Sequence, residues 1–143
     1  MPRVYISAEV EARVRAAAHN RCGYCLSPQS LVMARLHMEH IIPLAKGGSN
    51  DEENLWLACP FCNGHKSNKT EERDPETGAV VALFNPRTQR WQEHFAWING
   101  GLLIAGLTPC GRATVRALHL DDDPDAIQVR SSWILAGWHP PKD

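Results

Sequence analysis

The sequence predicts an α+β fold with an N-terminal helix, a core that runs strand, loop, strand, knuckle, helix around a four-cysteine zinc site, and a mixed α/β C-terminal extension. Three observations predict it. Apolar residues recur at helical spacing near the start; two Cys-x-x-Cys pairs lie 33 residues apart; and two short apolar stretches flank a Gly-Gly loop just before the second pair. At 143 residues, 43% hydrophobic and 22% charged, the chain is long enough to bury a core and reads as one domain, 1–143, with its core at 21–70 and an extension, 71–143, packed on it.

Taken in order, Ser7 caps a helix in which Ile6, Val10, Val14, Ala17 and Ala18 recur, with Glu9 and Glu11 in the favoured first turn and an end near Asn20. Cys22-Gly23-Tyr24-Cys25 is a tight knuckle. Arg35 to Ile42 reads as extended, with Leu36, Met38 and Ile41 facing inward and Pro43 as the stop. Lys46-Gly47-Gly48-Ser49-Asn50-Asp51 is a loop by composition, Leu55 to Ala58 a second strand, Cys59-Pro60-Phe61-Cys62 the second knuckle, and Asn63 to Thr70 a helix. In the extension we expect a strand over Val80 to Phe84 and a helix capped by Asn85-Pro86 that runs through Trp91 and Phe95. An Asn-Gly hairpin over Trp97 to Ile104 follows, with helices from Thr108-Pro109 and over Ala126 to Ala136. Most of the five tryptophans are expected in the core, with Trp56 packing the second strand.

Composition excludes several classes. The longest apolar runs fall far below the roughly 18 residues of a membrane span, and charges occupy the N-terminal stretch where a signal peptide is apolar, so we expect a cytoplasmic protein with no membrane partner. Net charge is −1, which argues against bulk positive charge as the means of holding a polyanion. Residues 1–70 nevertheless hold eight basic and six acidic residues against seven and ten in 71–143, so a polyanion favours the first part. The oligomeric state is not legible.

Two paired Cys-x-x-Cys turns match tetrahedral zinc, because a two-residue spacing lets both sulfurs of a turn reach one ion. Cys22, Cys25, Cys59 and Cys62 are therefore assigned to structural Zn2+, while Cys110 reads as a small residue at a helix start. A site closed by four thiolates leaves His37, Glu39, His40, Asn54, Asn63, His65, Lys66 and Lys69 without a role in it. Adjacent Glu39 and His40 offer a carboxylate for a hard cation and an imidazole for taking a proton from water, the two needs of phosphodiester hydrolysis.

The run His37-Met38-Glu39-His40-Ile41-Ile42-Pro43-Leu44-Ala45-Lys46-Gly47-Gly48, then Asn54-Leu55, then Cys59-Pro60-Phe61-Cys62-Asn63-Gly64-His65-Lys66 resembles the HNH endonucleases over about Arg21 to Lys69. The resemblance implies a ββα-metal finger, a structural zinc, a separate catalytic Mg2+ or Mn2+, and DNA cleavage by an activated water that leaves 5′-phosphate and 3′-hydroxyl ends. It implies His40 as general base, Glu39 as carboxylate ligand, Asn54 as the residue that pins the loop and orients the histidine, and Asn63 as second ligand, with His65 as the competitor. Asp is commoner than Glu at position 39 in that family. His37 shares a strand face with Glu39 and is assigned, with Lys46, Lys66 and Lys69, to phosphate contact. The other readings are a zinc-finger module that binds nucleic acid without cutting it and a metal-dependent hydrolase of another substrate.

Overall fold

The computed structural model describes residues 5–142. Among them it is α+β, with five α-helices and three two-stranded antiparallel sheets, and no helix is long and apolar enough to cross a membrane. The chain divides into two compact units. The first comprises the chain up to Thr70 together with Asn85–Thr88; the second takes Glu71–Phe84 and the chain from Gln89 onward.

In the first unit, α1 (Ala8–Ala17) is capped by Ser7, whose Oγ accepts from the Val10 amide, and it buries Val14 while lying against β2. Ala17, expected inward, is exposed. The hairpin pairs β1 (His37–His40) with β2 (Leu55–Ala58) in the register Met38 with Leu57, Glu39 with Trp56 and His40 with Leu55. β1 is shorter than the extended stretch expected, and its buried residue is Glu39 rather than Met38, which is only half-buried. Helix α2 (Pro60–Lys66) begins earlier than expected, with Cys59 at its cap and Pro60 in the first turn, where a missing N–H costs nothing. It stops at Ser67, whose φ of 49° is incompatible with further helix.

Two glycines of this unit are fixed by contact. A Cβ on Gly23 would meet the Trp56 ring at 2.4 Å and Pro86 at 2.7 Å, and one on Gly48 would meet the Ile42 carbonyl oxygen at 1.8 Å. The Gly23 amide donates to the Leu57 carbonyl, which fastens the first knuckle to β2. Trp56 lies in β2 and takes the Arg87 guanidinium over its ring.

In the second unit, β3 (Glu71–Arg73) pairs with β4 (Val80–Ala82), and β5 (Phe95–Ile98) with β6 (Leu103–Gly106). The helix expected from Asn85 onward reduces to α3 (Trp91–His94), because the Asn85 side chain instead accepts from the Arg87 and Thr88 amides and closes a turn. The hairpin strands sit further out than expected, and Ile98 pairs with Leu103 across a four-residue connection, Asn99 to Leu102. Helix α4 (Pro109–Leu118) is capped by Thr108 and lies against β3, β4 and β6; α5 (Pro124–Leu135) is capped by Asp123. Asp74 is buried and holds Arg112 through two hydrogen bonds, of 2.9 and 3.0 Å. Trp91 is in the core, whereas Trp138 is 61% exposed.

Candidate active site and zinc centre

The zinc centre follows from the two knuckles. Cys22 and Cys25 lie on a turn, Cys59 caps α2 and Cys62 sits in its first turn; all four are buried, and their sulfurs lie within 4.8 Å of one another. Four buried thiols at that mutual distance fit a tetrahedral soft-ligand ion such as Zn2+. Burial pushes the Cys22 thiol well above its usual range, while hydrogen bonds from the other three sulfurs hold Cys25 well below it. So dense a group of sulfurs calls for a cation to neutralise it. Among the described residues, these cysteines are the only group of three or more Cys, His, Asp or Glu whose ligand atoms converge.

His40 ends β1, half-buried, and its Nε2 lies 2.6 Å from Asn50 Oδ1. With that oxygen accepting, the ring proton sits on Nε2 and the Nδ1 lone pair is the basic nitrogen. Asn54 pins the loop that carries Asn50. Its Oδ1 accepts from the Ile42 amide at 2.8 Å, and its Nδ2 donates to the Ile42 and Ser49 carbonyls at 2.9 Å each. These three bonds fasten both ends of the turn that leaves β1.

Glu39 and Lys66 are not where an open site needs them. Glu39 is 3% and Lys66 1% exposed, and their charges meet at 2.8 Å. Tyr24 donates its hydroxyl to the other carboxylate oxygen at 2.8 Å, and burial beside that carboxylate pushes the phenol well above its usual range, so it stays a donor. Lys66 also donates to the carbonyls of His40 and Ile41 at 3.2 and 3.0 Å. Lys66 is therefore corrected: it does not face phosphate, because its ammonium is buried and all three of its protons are committed. The expected donor set of Glu39 with Asn63 or His65 does not fit a catalytic divalent ion, since both carboxylate oxygens already have partners and one of them is a cation.

Asn63 and His65 lie half-buried along α2, and the His65 ring stands edge-on to Phe61, 4.6 Å between centroids. His37 opens β1 opposite Ala58 and is exposed, as is Lys46 in the short turn Leu44–Lys46; Lys69 follows α2, half-buried. Sequence reasoning missed Tyr24, Asn50 and Arg87, which donates to the Leu55 carbonyl. Tyr24 offered one signal, a hydroxyl inside a tight cysteine turn, whereas Asn50 is one polar residue among several in a loop.

Residues 22–69 match the family model for HNH endonuclease. The matched segment spans both knuckles, the hairpin and α2, and the four-cysteine cluster within it is consistent with a zinc-stapled HNH fold. HNH is a nuclease family, and the histidine, the loop asparagine and the cysteines singled out above all lie inside the matched segment. No curated protein and no solved structure matches the chain.

Proposed function

We propose that the HNH segment hydrolyses DNA phosphodiester bonds, with His40 as general base. The observation that supports this most is the His40–Asn50 contact of 2.6 Å within a loop pinned by Asn54, inside the segment that matches HNH endonucleases. A base for water needs one ring nitrogen with its lone pair available and held in place, and in the neutral ring a hydrogen bond donated from Nε2 leaves that lone pair on Nδ1 and fixes the ring's orientation.

In the step we infer, His40 Nδ1 takes a proton from water as the oxygen bonds to phosphorus. The P–O3′ bond breaks, and the departing oxygen takes a proton from solvent. A bound Mg2+ or Mn2+ would supply charge neutralisation on the phosphate in such chemistry; we propose Asn63, with His65 as its competitor, as the α2 residue that would help to hold one. Lys46, His37 and Lys69 are proposed as phosphate contacts, consistent with the slight basic excess of the first part of the chain.

A non-catalytic zinc finger would make no use of an aimed imidazole. The test is nicking of supercoiled DNA with Mg2+ or Mn2+ by wild type and His40→Ala, with single-stranded DNA and RNA as parallel substrates. Wild-type nicking that falls about 100-fold in His40→Ala, with zinc and fold retained, supports the proposal; equal rates refute His40 as the base.

A further inference from the structure

Within the first unit, Lys66 Nζ has three protons and three partners: Glu39 Oε1, the Ile41 carbonyl and the His40 carbonyl. Glu39 has two oxygens and two partners, Lys66 and the Tyr24 hydroxyl. None of the three side chains is more than 3% exposed. Tyr24 sits between Cys22 and Cys25, and Lys66 ends the helix that begins at Cys59. The group therefore connects both halves of the thiolate centre to the two peptide carbonyls at the end of β1, where His40 is carried.

We propose that Tyr24, Glu39 and Lys66 form a buried clamp that positions the His40 end of β1, and that Glu39 is a positioning carboxylate and not a ligand for a divalent ion. Buried charges are retained only when they are paired and their remaining hydrogen-bonding capacity is filled, and this pair meets both conditions. A divalent cation at Glu39 would have to displace an ammonium from a site closed to water, against the repulsion of that same ammonium if it stayed nearby. The clamp acts through the main chain: the ammonium fixes the His40 and Ile41 carbonyls, and these fix the peptide from which the imidazole projects. The assignment of Glu39, Lys66 and Tyr24 as positioning residues rests on His40 being the base; the burial and pairing of the clamp do not.

The test combines unfolding with Mn2+ titration of nicking. Thermal melts of Glu39→Gln, Lys66→Met and the double variant are expected to give a drop of about 10 °C for each single variant, whose partner is left buried and unpaired, and partial recovery in the double. Losses that simply add would overturn the clamp. This arm is independent of catalysis, so it decides the clamp even if no nucleic acid is cut, an outcome that would sink the proposed function instead. If a single variant does not fold, a folded, zinc-loaded double variant supports the clamp and an unfolded one overturns it.

In the nicking arm, Glu39→Gln is expected to keep its half-saturating Mn2+ within about twofold of wild type. Tyr24→Phe, which removes one hydroxyl, is expected to lower kcat about threefold to tenfold with KM for DNA unchanged, a split that loss of folded protein alone would not reproduce. A rise of tenfold or more in half-saturating Mn2+ in Glu39→Gln, with an unchanged melt, would make Glu39 a ligand and overturn the inference.

Discussion

Asn54 is the residue whose removal has the most readily worked cost. Asn54→Ala deletes three hydrogen bonds, from the Ile42 amide and to the Ile42 and Ser49 carbonyls, at 2.8, 2.9 and 2.9 Å. At a net contribution of about 1 kcal/mol each the ceiling is about 3 kcal/mol. The freed loop groups lie near the surface and can bind water, so about 2 kcal/mol is expected, or a melting temperature lower by about 8 °C. Asn54→Asp is the sharper variant. It keeps an acceptor for the Ile42 amide but turns two donations into a carboxylate facing two carbonyls, so at neutral pH it should melt below the alanine variant. The consequence for catalysis is separate: the released loop carries Asn50, so nicking should fall about tenfold to 100-fold at temperatures where the variant is still folded. Differential scanning calorimetry and nicking rates at 25 °C check both. An alanine variant melting within a degree or so of wild type, or an aspartate variant as stable as wild type, would refute the loop-pin reasoning.

Asn50→Ala should lower turnover about tenfold by releasing the His40 ring, and Asn50→Asp, which still accepts from Nε2–H, should recover most of it; equal initial rates for all three would remove Asn50 from the site. Mild EDTA should stop nicking without unfolding while elemental analysis still finds one zinc per chain, and added Mg2+ or Mn2+ should restore the rate; a folded, zinc-free protein after that treatment would overturn the four-cysteine centre. Arg112 holds the Asp74 carboxyl far below the usual carboxylate range, so the folded state binds fewer protons there than the unfolded chain does. The stability this contributes to the second unit is complete above about pH 5 and is lost as pH falls through the ordinary carboxylate range toward the depressed value. The gap in unfolding midpoint between wild type and Asp74→Asn should therefore close on acidification, and a gap independent of pH would refute the assignment.

The elements legible in the sequence were those set by local chemistry. Ser7 and Thr108-Pro109 mark helix starts because a cap is made within three residues of itself, and both hold, whereas α5, expected from Ala126, starts two residues earlier at Pro124 behind an Asp123 cap. The cysteine turns were legible because two sulfurs on one turn already define half of a tetrahedron, whereas the loop-pinning role of Asn54, whose partners lie five and twelve positions away, was implied by the family resemblance alone. Asn85 shows where this fails: the same residue type caps a helix or closes a turn, and the chain beyond it decided for the turn.

Tertiary structure alone decided what the charged residues of the motif do. Glu39 and Lys66 are 27 positions apart, and alternation along β1 says only that residues 37 and 39 share a face; yet one is exposed and the other buried. A carboxylate in such a strand reads as a metal ligand and a lysine on such a helix as a phosphate contact. Only the packing of α2 against the hairpin brings the two together, with Tyr24 from the first knuckle closing the group. The physical reason is that the cost of burying a charge is met by partners distant in sequence, so residue type and spacing identify which groups carry chemistry, while the fold determines which of them remain open to a substrate.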